Sequence, residues 1–242
     1  MNDADLSAAK QAVRERIWDL LERKGAAPVG VHGHIPDFTG KQEAADRLAA
    51  EDVWRAARVI KCNPDRAQLP VRVHALQDGK LLYMAVPRLA TLKPFYLLDP
   101  ADIHEPFEVA ASSEGAERMA GMVDTDEMQP IDLIVSGSVA VDCNGHRIGK
   151  GAGYADIEVA LLSEAGLVRD STTFSTTVHD LQFVDSDLPA TEHDFAVDLT
   201  ITPTRTMRHE RRPRRFRLNL DSTNATKVDA IPILRTRLSR GG

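Results

Sequence analysis

Apolar residues near the start of the chain recur at three- and four-residue steps, whereas later segments carry them in short continuous runs. An amphipathic helix is predicted over residues 5–24 by the spacing of Ala9, Val13, Ile17, Leu20 and Leu21. Gly25 can end this helix, because glycine readily adopts the left-handed conformation common at helix C-termini. Similar patterns predict further helices over residues 41–58 and 156–164.

The short apolar runs predict strands between these helices. Strands are expected over residues 58–62, 80–86, 131–135 and 195–201, with residues 138–142 and 178–179 also extended. Residues 71–76 fit either a strand or a short helix, and residues 171–177 are typical of a turn that enters a strand. Strands that alternate with helices favour an α/β fold, with a mainly parallel sheet and helices on both faces.

Length and charge divide the chain into two parts. The 242 residues suffice for one large α/β domain, predicted over residues 1–204, and a basic C-terminal extension over residues 205–242. The extension contains eleven Lys or Arg and three Asp or Glu residues, so the net charge of −6 divides into +8 for the extension and −14 for the rest. The acidic part is a poor binder of nucleic acid, so a nucleic-acid partner is conceivable only through the extension.

The extension itself permits two interpretations. Six arginines could form a patch for RNA or phosphate, at positions 208, 211, 212, 214, 215 and 217. Alternatively, Phe216, Leu218 and Leu220 alternate as an edge strand while the arginines cover the acidic domain. We favour the second interpretation, because residues 231–234 after it also have a buried, apolar character.

Other features of composition indicate a cytoplasmic protein with no membrane partner. No run of 18 uncharged apolar residues occurs, and the first residues lack the apolar segment of a secretory signal. Cys62 and Cys143 are most simply two reduced thiols.

Residues 147–156, here called the glycine loop, carry the strongest chemical signal. Gly149, Gly151 and Gly153 alternate with Lys150 and Ala152 between a predicted strand and a predicted helix. Glycines let the backbone approach an anion, and the following helix N-terminus offers unpaired N–H groups. The loop lacks the Gly-Lys-Ser/Thr ending of a Walker loop and the spacing of a dinucleotide fingerprint. It predicts a phosphate site, although a simple flexible loop would have a similar composition.

Two further sets of polar residues are ambiguous by themselves. Lys10 and Arg14 are four residues apart and share one face of the first helix, either as a solvated pair or as part of a site. Asp198 lies within a predicted apolar strand, where an unpaired carboxylate is costly. It therefore needs an ion or a cationic side chain as its partner. His193 and Asp194 could bind a substrate or metal ion, or make a structural hydrogen bond.

The order of these residues resembles the 5-formyltetrahydrofolate cyclo-ligase family, in its divergent methenyltetrahydrofolate synthetase domain-containing branch. The resemblance rests on the opening pair Lys10 and Arg14 and on Asp142, Arg147, Gly149, Gly151, Gly153, Tyr154, Asp156, Gln182, Leu188-Pro189, His193-Asp194, Val197-Asp198 and Ile201-Thr202. The sequence departs from the family pattern at Ala152, Ala155 and Ile157, where the family has Gly, Tyr and Arg. Residues 62–72 offer no clear counterpart of a folate-binding Glu, so the folate side looks altered.

The resemblance implies a fold shared with sugar-phosphate isomerases and coenzyme A transferases. It also implies ATP- and Mg²⁺-dependent conversion of 5-formyltetrahydrofolate to 5,10-methenyltetrahydrofolate, in which ATP phosphorylates the formyl oxygen and a folate nitrogen then displaces phosphate. ATP and a reduced folate are the implied partners. The ATP-binding residues so implied are Lys10, Arg14, Arg147, Gly149, Lys150, Gly151, Gly153 and Tyr154. Lys150 and Tyr154 are the candidate catalytic residues, and Asp156 and Asp198 the candidate metal ligands.

Two alternatives to this function remain open from the sequence. One is an ATP-dependent ligase for a different acyl or formyl substrate, which the altered folate side suggests. The other is a nucleotide- or RNA-binding protein on the same scaffold, which the basic extension suggests.

Overall fold

The computed structural model describes residues 3–191, 194–213, 216–218 and 230–240. Its helices are α1 (Asp3–Arg23), α2 (Lys41–Ala49), α3 (Asp52–Ala56), α4 (Leu69–Gln77), α5 (Phe107–Ala110), α6 (Ser113–Met119), α7 (Tyr154–Glu164) and α8 (Pro232–Arg240). Its strands are β1 (Val59–Cys62), β2 (Leu81–Ala85), β3 (Phe95–Leu98), β4 (Gly121–Val123), β5 (Leu133–Ser136), β6 (Ala140–Asp142), β7 (Arg147–Ile148), β8 (Thr173–Thr177), β9 (Phe183–Val184), β10 (Leu199–Ile201) and β11 (Thr206–Arg208).

The described strands form one large sheet and one small sheet. The large sheet has the order β11-β10-β8-β5-β1-β2-β3-β4, and the small one the order β7-β6-β9. Strands β10, β8, β5, β1 and β2 run parallel, whereas β11, β3 and β4 pair antiparallel at the two edges. This arrangement confirms the predicted α/β fold with a mostly parallel sheet. The further likeness to sugar-phosphate isomerases and coenzyme A transferases stays a prediction.

Side chains from both faces of the large sheet are buried in separate apolar clusters. In β2, Leu82 and Met84 belong to one cluster, and Tyr83 and Ala85 belong to the other, as the two-residue period of a strand requires. Residues of α1 to α6 pack in the first cluster, and residues of α7 and α8 pack in the second. Helices therefore cover both faces of the sheet, which explains why every residue of the central strands β1, β5 and β8 is buried.

Several predicted elements have different bounds in the structure. The helix predicted over residues 41–58 is divided into α2 and α3, because Glu51 takes an extended conformation as the N-cap of α3. Trp54 of α3 lies in the core, where the residue is 1% exposed and its Nε1 donates to Asp78. Residues 71–76 lie in a helix, α4, with a proline in its first turn. The strand predicted over residues 195–201 is shorter, since β10 begins at Leu199.

A central strand of the sheet is rich in hydroxyl groups. Strand β8 lies between β5 and β10, and all five of its residues are buried. Thr176 donates to the carbonyl of Ser136 at 2.7 Å, and Ser175 to that of Ile134 at 3.4 Å. These bonds satisfy hydroxyls that would otherwise oppose burial. In the segment 171–177, predicted as a turn that enters a strand, residues 173–177 are therefore a central parallel strand.

The described part of the basic extension is attached to the domain. Its first strand, β11, pairs with β10 at the edge of the large sheet, so the edge strand falls earlier than Phe216–Leu218. Phe216 packs against Phe174 and Phe195, with ring centroids 5.6 and 6.3 Å apart. Leu220, Arg214 and Arg215 lie outside the described residues. The boundary at residue 204 stays a prediction.

Residues at the end of the chain are buried as their composition predicts: Ile231 is 0% exposed and Leu234 is 1% exposed.

None of the helices in the described ranges is both long and apolar enough to cross a membrane.

Candidate functional site

A cavity of about 860 Å³ lies over the carboxyl ends of three neighbouring parallel strands. Asn63 follows β1, Val86 follows β2, and Gly137 follows β5. The first turns of α1 and the glycine loop close its other sides. Ligands of open parallel sheets characteristically bind outside the carboxyl ends of the strands, so the fold itself favours this cavity as the site.

The glycine loop leaves β7 and enters α7 through two residues in the left-handed region. Gly151 has a φ of +98°, and Gly153, the N-cap of α7, has a φ of +69°. Gly149 is restricted differently, because a Cβ there would lie 2.9 Å from Nη2 of Arg147. The loop thus brings backbone and cations together at a helix N-terminus, the arrangement that binds phosphate in many proteins.

Asp142 fixes the turn that precedes the glycine loop. Its side chain is fully buried and accepts hydrogen bonds from the backbone N–H groups of Asn144, His146 and Leu188, each at 2.9 Å. Bonds of this kind to a buried carboxylate are strong and set local geometry. This matched family residue therefore positions the loop and does not line the cavity.

Arg14 connects helix α1 to the glycine loop. Its Nε donates to the carbonyl oxygen of Gly149 at 2.7 Å, and its Nη1 donates to Gln11 at 3.1 Å. Burial lowers the pKa of the Arg14 guanidinium, an effect that Asp194 opposes and Arg147 reinforces. The group remains charged at neutral pH, since an arginine begins from a very high pKa.

Lys10 lies one turn before Arg14 and pairs with Asp194. Its Nζ lies 2.5 Å from Oδ2 of Asp194, which also accepts from the N–H and hydroxyl of Thr191 at 2.6 and 2.9 Å. Burial by itself would raise the pKa of Asp194, but the hydrogen bonds from Lys10 and Thr191 outweigh it, so the pKa is lowered. The pair thus keeps Asp194 ionised and holds Lys10 beside the cavity. His193 lies outside the described residues.

Arg147 and Asp156 lie together at the inner side of the glycine loop. The Arg147 guanidinium donates to the Gly137 carbonyl at 2.9 Å and to the Ser138 hydroxyl at 3.2 Å. It stacks on Phe195, with its Cζ 4.6 Å from the ring centroid. Its Nη1 lies 3.8 Å from Oδ1 of Asp156. Arg147 therefore acts as a fixed positive charge beside the Asp156 carboxylate.

Asp156 has an oxygen that the protein leaves unsatisfied. Its Oδ1 is buried and has no hydrogen-bond partner among the described residues, although 34% of the side chain is exposed. Burial raises the pKa of this carboxyl, and the charge of Arg147 opposes the rise. A buried carboxylate oxygen facing a cavity without a donor has the chemistry of a ligand for a hard cation.

No group of three or more His, Cys, Asp or Glu side chains in the described ranges could hold a metal ion. This observation is compatible with Mg²⁺, which commonly binds one or two carboxylates together with substrate phosphates and water. Asp156 fits such a role.

Asp198, the other predicted metal ligand, does not line the cavity. Its Oδ2 accepts from the backbone N–H of Phe174 at 2.8 Å and lies 3.9 Å from Nε of Arg211. The sequence predicts that this carboxylate needs an ion or a cationic side chain as its partner, and Arg211 of the extension is such a partner. Asp198 therefore has the contacts of a structural carboxylate, which do not support its predicted role as a metal ligand.

Lys150 and Tyr154 line the same cavity from the glycine loop. Nζ of Lys150 lies 2.8 Å from Oδ1 of Asp65, which follows β1. This ion pair joins the loop to the end of the sheet, while the Lys150 side chain is 39% exposed and free to exchange partners. Tyr154 is the first residue of α7. Of the ten residues predicted for the ATP and metal sites, all but Asp198 therefore line one cavity.

A buried ion pair that sequence reasoning missed lies beside this cavity. Lys61 of β1 is fully buried and pairs with Glu158 of α7, and it also donates to Asn63 at 3.1 Å. Glu158 and Asn63 line the cavity. The available signal was the lysine within the otherwise apolar strand 59–62, because a buried cation requires a nearby anion.

Three arginines of the extension contact the domain. Arg208 pairs with Glu51, and Arg212 donates to His146. Arg211 donates to the carbonyls of Ser171 and Thr172 at 2.9 and 3.0 Å. These contacts favour the interpretation in which the arginines cover the acidic domain.

Comparison with known proteins connects this geometry to a family. A sequence model of the 5-formyltetrahydrofolate cyclo-ligase family matches residues 6–203. The mouse methenyltetrahydrofolate synthase domain-containing protein is 37% identical over 237 residues, covering 96% of this chain and 64% of its own length. The human protein of the same name is 35% identical over 247 residues, with coverages of 99% and 64%. The chain thus spans less than two thirds of the length of these curated relatives.

A solved structure resembles the fold. The NMR structure of Aquifex aeolicus 5,10-methenyltetrahydrofolate synthetase aligns with a TM-score of 0.54 and 17% identity, covering 90% of this chain and 98% of that one. At this identity the likeness concerns the fold alone.

Proposed function

This chain belongs to the 5-formyltetrahydrofolate cyclo-ligase family, and on that premise we propose that it uses ATP and Mg²⁺ to convert 5-formyltetrahydrofolate to 5,10-methenyltetrahydrofolate. The observation that carries the proposal is the convergence of the glycine loop, Lys10, Arg14 and Asp156 on one cavity over the sheet ends. These groups come from two segments that lie far apart in the sequence. Their meeting beside a helix N-terminus supports a site for a polyphosphate and its cation.

The protein's contribution to such a reaction is positional and electrostatic. Bound ATP would supply the phosphoryl group that makes the formyl oxygen a leaving group, after which a second folate nitrogen closes the ring and phosphate departs. Lys10, Arg14 and Lys150 would balance the charge of the phosphates, and the glycine loop would place its N–H groups against them. Ring closure releases one proton from the attacking nitrogen, which the departing phosphate or solvent can accept, so no strong general base is needed.

Lys150 has a defined part in this proposal. Its ion pair with Asp65 is half-exposed, so a phosphate oxygen could replace the carboxylate as the partner of Nζ. Tyr154 lies beside it at the start of α7 and would contact the group being transferred. We therefore keep both as the proposed catalytic residues.

Asp156 would hold Mg²⁺ through its unsatisfied Oδ1, with phosphate oxygens and water as further ligands. The Arg147 guanidinium, whose Nη1 lies 3.8 Å from the same Oδ1, would help to keep this carboxylate ionised and in place. Coordination by one protein carboxylate agrees with the lack of a three-residue metal cluster in the described part of the chain.

The test is an absorbance assay for methenyltetrahydrofolate with the purified protein, 5-formyltetrahydrofolate, Mg²⁺ and ATP. ATP-dependent product formation is expected, and Asp156→Asn should abolish it while Asp170→Asn leaves it unchanged. Asp170 is an exposed carboxylate that does not line the cavity, which makes it a matched control. If the wild-type protein binds ATP but forms no product, the folate substrate is wrong. The same ATP site would then serve another acyl or formyl substrate.

A further inference from the structure

Arg88 differs from the other cationic side chains of the cavity. Lys10, Arg14, Arg147 and Lys150 each have a hydrogen-bond or ion-pair partner in the protein. Arg88 lines the same cavity and is exposed, but it makes no hydrogen bond or ion pair with the described residues. An uncompensated arginine in a ligand cavity is a group whose partner is expected to be an anionic part of the ligand.

The backbone at Arg88 has an uncommon conformation. Arg88 and Leu89 have φ values of +58° and +51°, in the left-handed region that residues with a Cβ seldom occupy. Gly, Asn or Asp would be the ordinary choice at such positions. Two successive residues of this kind persist only where the surrounding structure holds them, and they concentrate at ligand-binding sites.

The contacts around this turn explain how it is held. Leu89 is fully buried in the apolar cluster beneath the turn, and its N–H donates to the carbonyl of Val86 at 2.9 Å. Pro87 fixes the φ of the residue before Arg88. The buried leucine anchors the turn, while Arg88 remains exposed at the cavity. The sequence thus places an arginine at a strained position that a neutral Asn would occupy with less difficulty.

Arg88 belongs to a different element of the fold from the groups assigned to phosphate. Those groups belong to α1 and the glycine loop, whereas Arg88 follows β2 at the carboxyl end of the sheet. The cavity therefore has a cationic group on a third element. The folate of the proposed reaction has a second anionic end, the carboxylates of its glutamate. A guanidinium binds a carboxylate through two parallel hydrogen bonds.

We propose that Arg88 is a specificity residue that binds the glutamyl carboxylate of the reduced folate. This inference rests on the proposed function, since it names the part of that substrate which the end of β2 recognises. It also assigns a folate-side residue to a cavity whose phosphate side was evident from the glycine loop.

The experiment compares two substrates in the product assay: 5-formyltetrahydrofolate and 5-formyltetrahydropteroate, which lacks the glutamate. Arg88→Asn removes the charge and is compatible with the left-handed backbone. It should raise the KM for 5-formyltetrahydrofolate about tenfold or more, with little effect on the KM for the pteroate or for ATP. Arg88→Lys should restore part of the loss, because it keeps the charge but not the two-pronged geometry.

Arg169→Asn is the matched control, since Arg169 is exposed and lies outside the cavity. Its kinetics should equal those of the wild type for both substrates. Thermal unfolding of Arg88→Asn should occur at or above the wild-type temperature, which separates loss of recognition from loss of folding.

Three results would overturn the inference. An equal rise in the KM for 5-formyltetrahydrofolate and for 5-formyltetrahydropteroate would mean that Arg88 does not bind the glutamate. A rise confined to the KM for ATP would mean that Arg88 binds the phosphates. Unchanged kinetics would leave it no role in binding. These results differ from failure of the proposed function, in which the wild-type protein itself converts neither substrate, and the Arg88 inference falls with it.

Discussion

The Nε of Arg14 donates to the carbonyl oxygen of Gly149 at 2.7 Å, and this bond joins residues 135 positions apart in the sequence. It ties the first helix to the loop that enters α7. Gly151 also lies close to this guanidinium, since a Cβ added at Gly151 would lie 3.4 Å from Cζ of Arg14. The helix and the loop are therefore in close contact. The phosphate side of the cavity therefore depends on a contact between two distant segments.

Removing this contact should weaken ATP binding. We expect Arg14→Gln to raise the KM for ATP about tenfold or more, because it removes both a cation and the support of the glycine loop. Steady-state kinetics with varied ATP will measure the change. Arg16→Gln is the control on the same helix, since Arg16 is exposed and does not line the cavity. Equal effects of the two substitutions would contradict the role given to Arg14.

Asp156 should show opposite effects on activity and stability. Its pKa is raised by burial, so the folded state binds this proton more tightly than the unfolded state does. The associated stability is present at low pH and is lost as the pH rises through the raised pKa. At neutral pH we therefore expect Asp156→Asn to unfold at the same or a higher denaturant concentration than the wild type, without ligands. Its activity should fall by roughly 10² or more.

The same raised pKa predicts the pH dependence of the reaction. Mg²⁺ requires the ionised carboxylate, so turnover should decline on acidification at a higher pH than an ordinary aspartate would give. The decline can be measured as turnover against pH at subsaturating Mg²⁺. Excess Mg²⁺ should move the decline to lower pH. A profile that does not respond to Mg²⁺ would argue against Asp156 as a ligand.

The buried pair of Lys61 and Glu158 provides a test of stability. Glu158→Gln should lower the free energy of unfolding by about 3–5 kcal/mol, because it leaves a fully buried ammonium without its anion. The double variant Lys61→Met/Glu158→Leu should recover most of this loss, since neither charge is then buried. Denaturant unfolding of the single and double variants will decide. Additive losses would show that the two side chains do not depend on each other.

The lowered pKa of Asp194 predicts how the stability of the protein depends on pH. Its pKa is lowered, since hydrogen bonds from Lys10 and Thr191 outweigh the effect of burial. The stability it contributes is fully present above the ordinary aspartate pKa of about 3.9, and is lost as the pH falls through the lower folded value. Asp194→Asn should thus be less stable than the wild type at pH 7. The difference should vanish at strongly acidic pH in thermal unfolding curves.

Substitution of arginines in the extension tests whether they pack against the domain or bind nucleic acid. Replacing Arg208, Arg211 and Arg212 with Gln should lower the stability of the domain modestly, by about 1–3 kcal/mol in total, because partly exposed ion pairs are weak. Binding of a single-stranded RNA probe should be weak in both proteins. Salt-dependent RNA binding lost in the triple variant would instead support the nucleic-acid interpretation.

The sequence by itself determined the class of fold and the elements with a single dominant period. Helix α1 follows from its three- and four-residue spacing, and its end follows from Gly25, which has a φ of +65°. The glycine loop was evident because its residues are adjacent and need glycine for backbone reasons. Local chemistry of this kind does not depend on distant partners, so the sequence displays it directly.

Only the tertiary structure decided which polar residues share a site. Asp156 and Asp198 look alike in the sequence, yet one carboxylate faces the cavity and the other accepts from Phe174 beside Arg211. Strand β8 was obscured by its hydroxyl groups, because their partners are carbonyls of the neighbouring strand β5. Arg88 gave no sequence signal, since a left-handed backbone is visible only in the folded chain. For the two carboxylates and for β8, the partner that fixes each group comes from a remote segment, and folding alone selects it. For Arg88, folding alone sets the backbone conformation and places the side chain at the cavity.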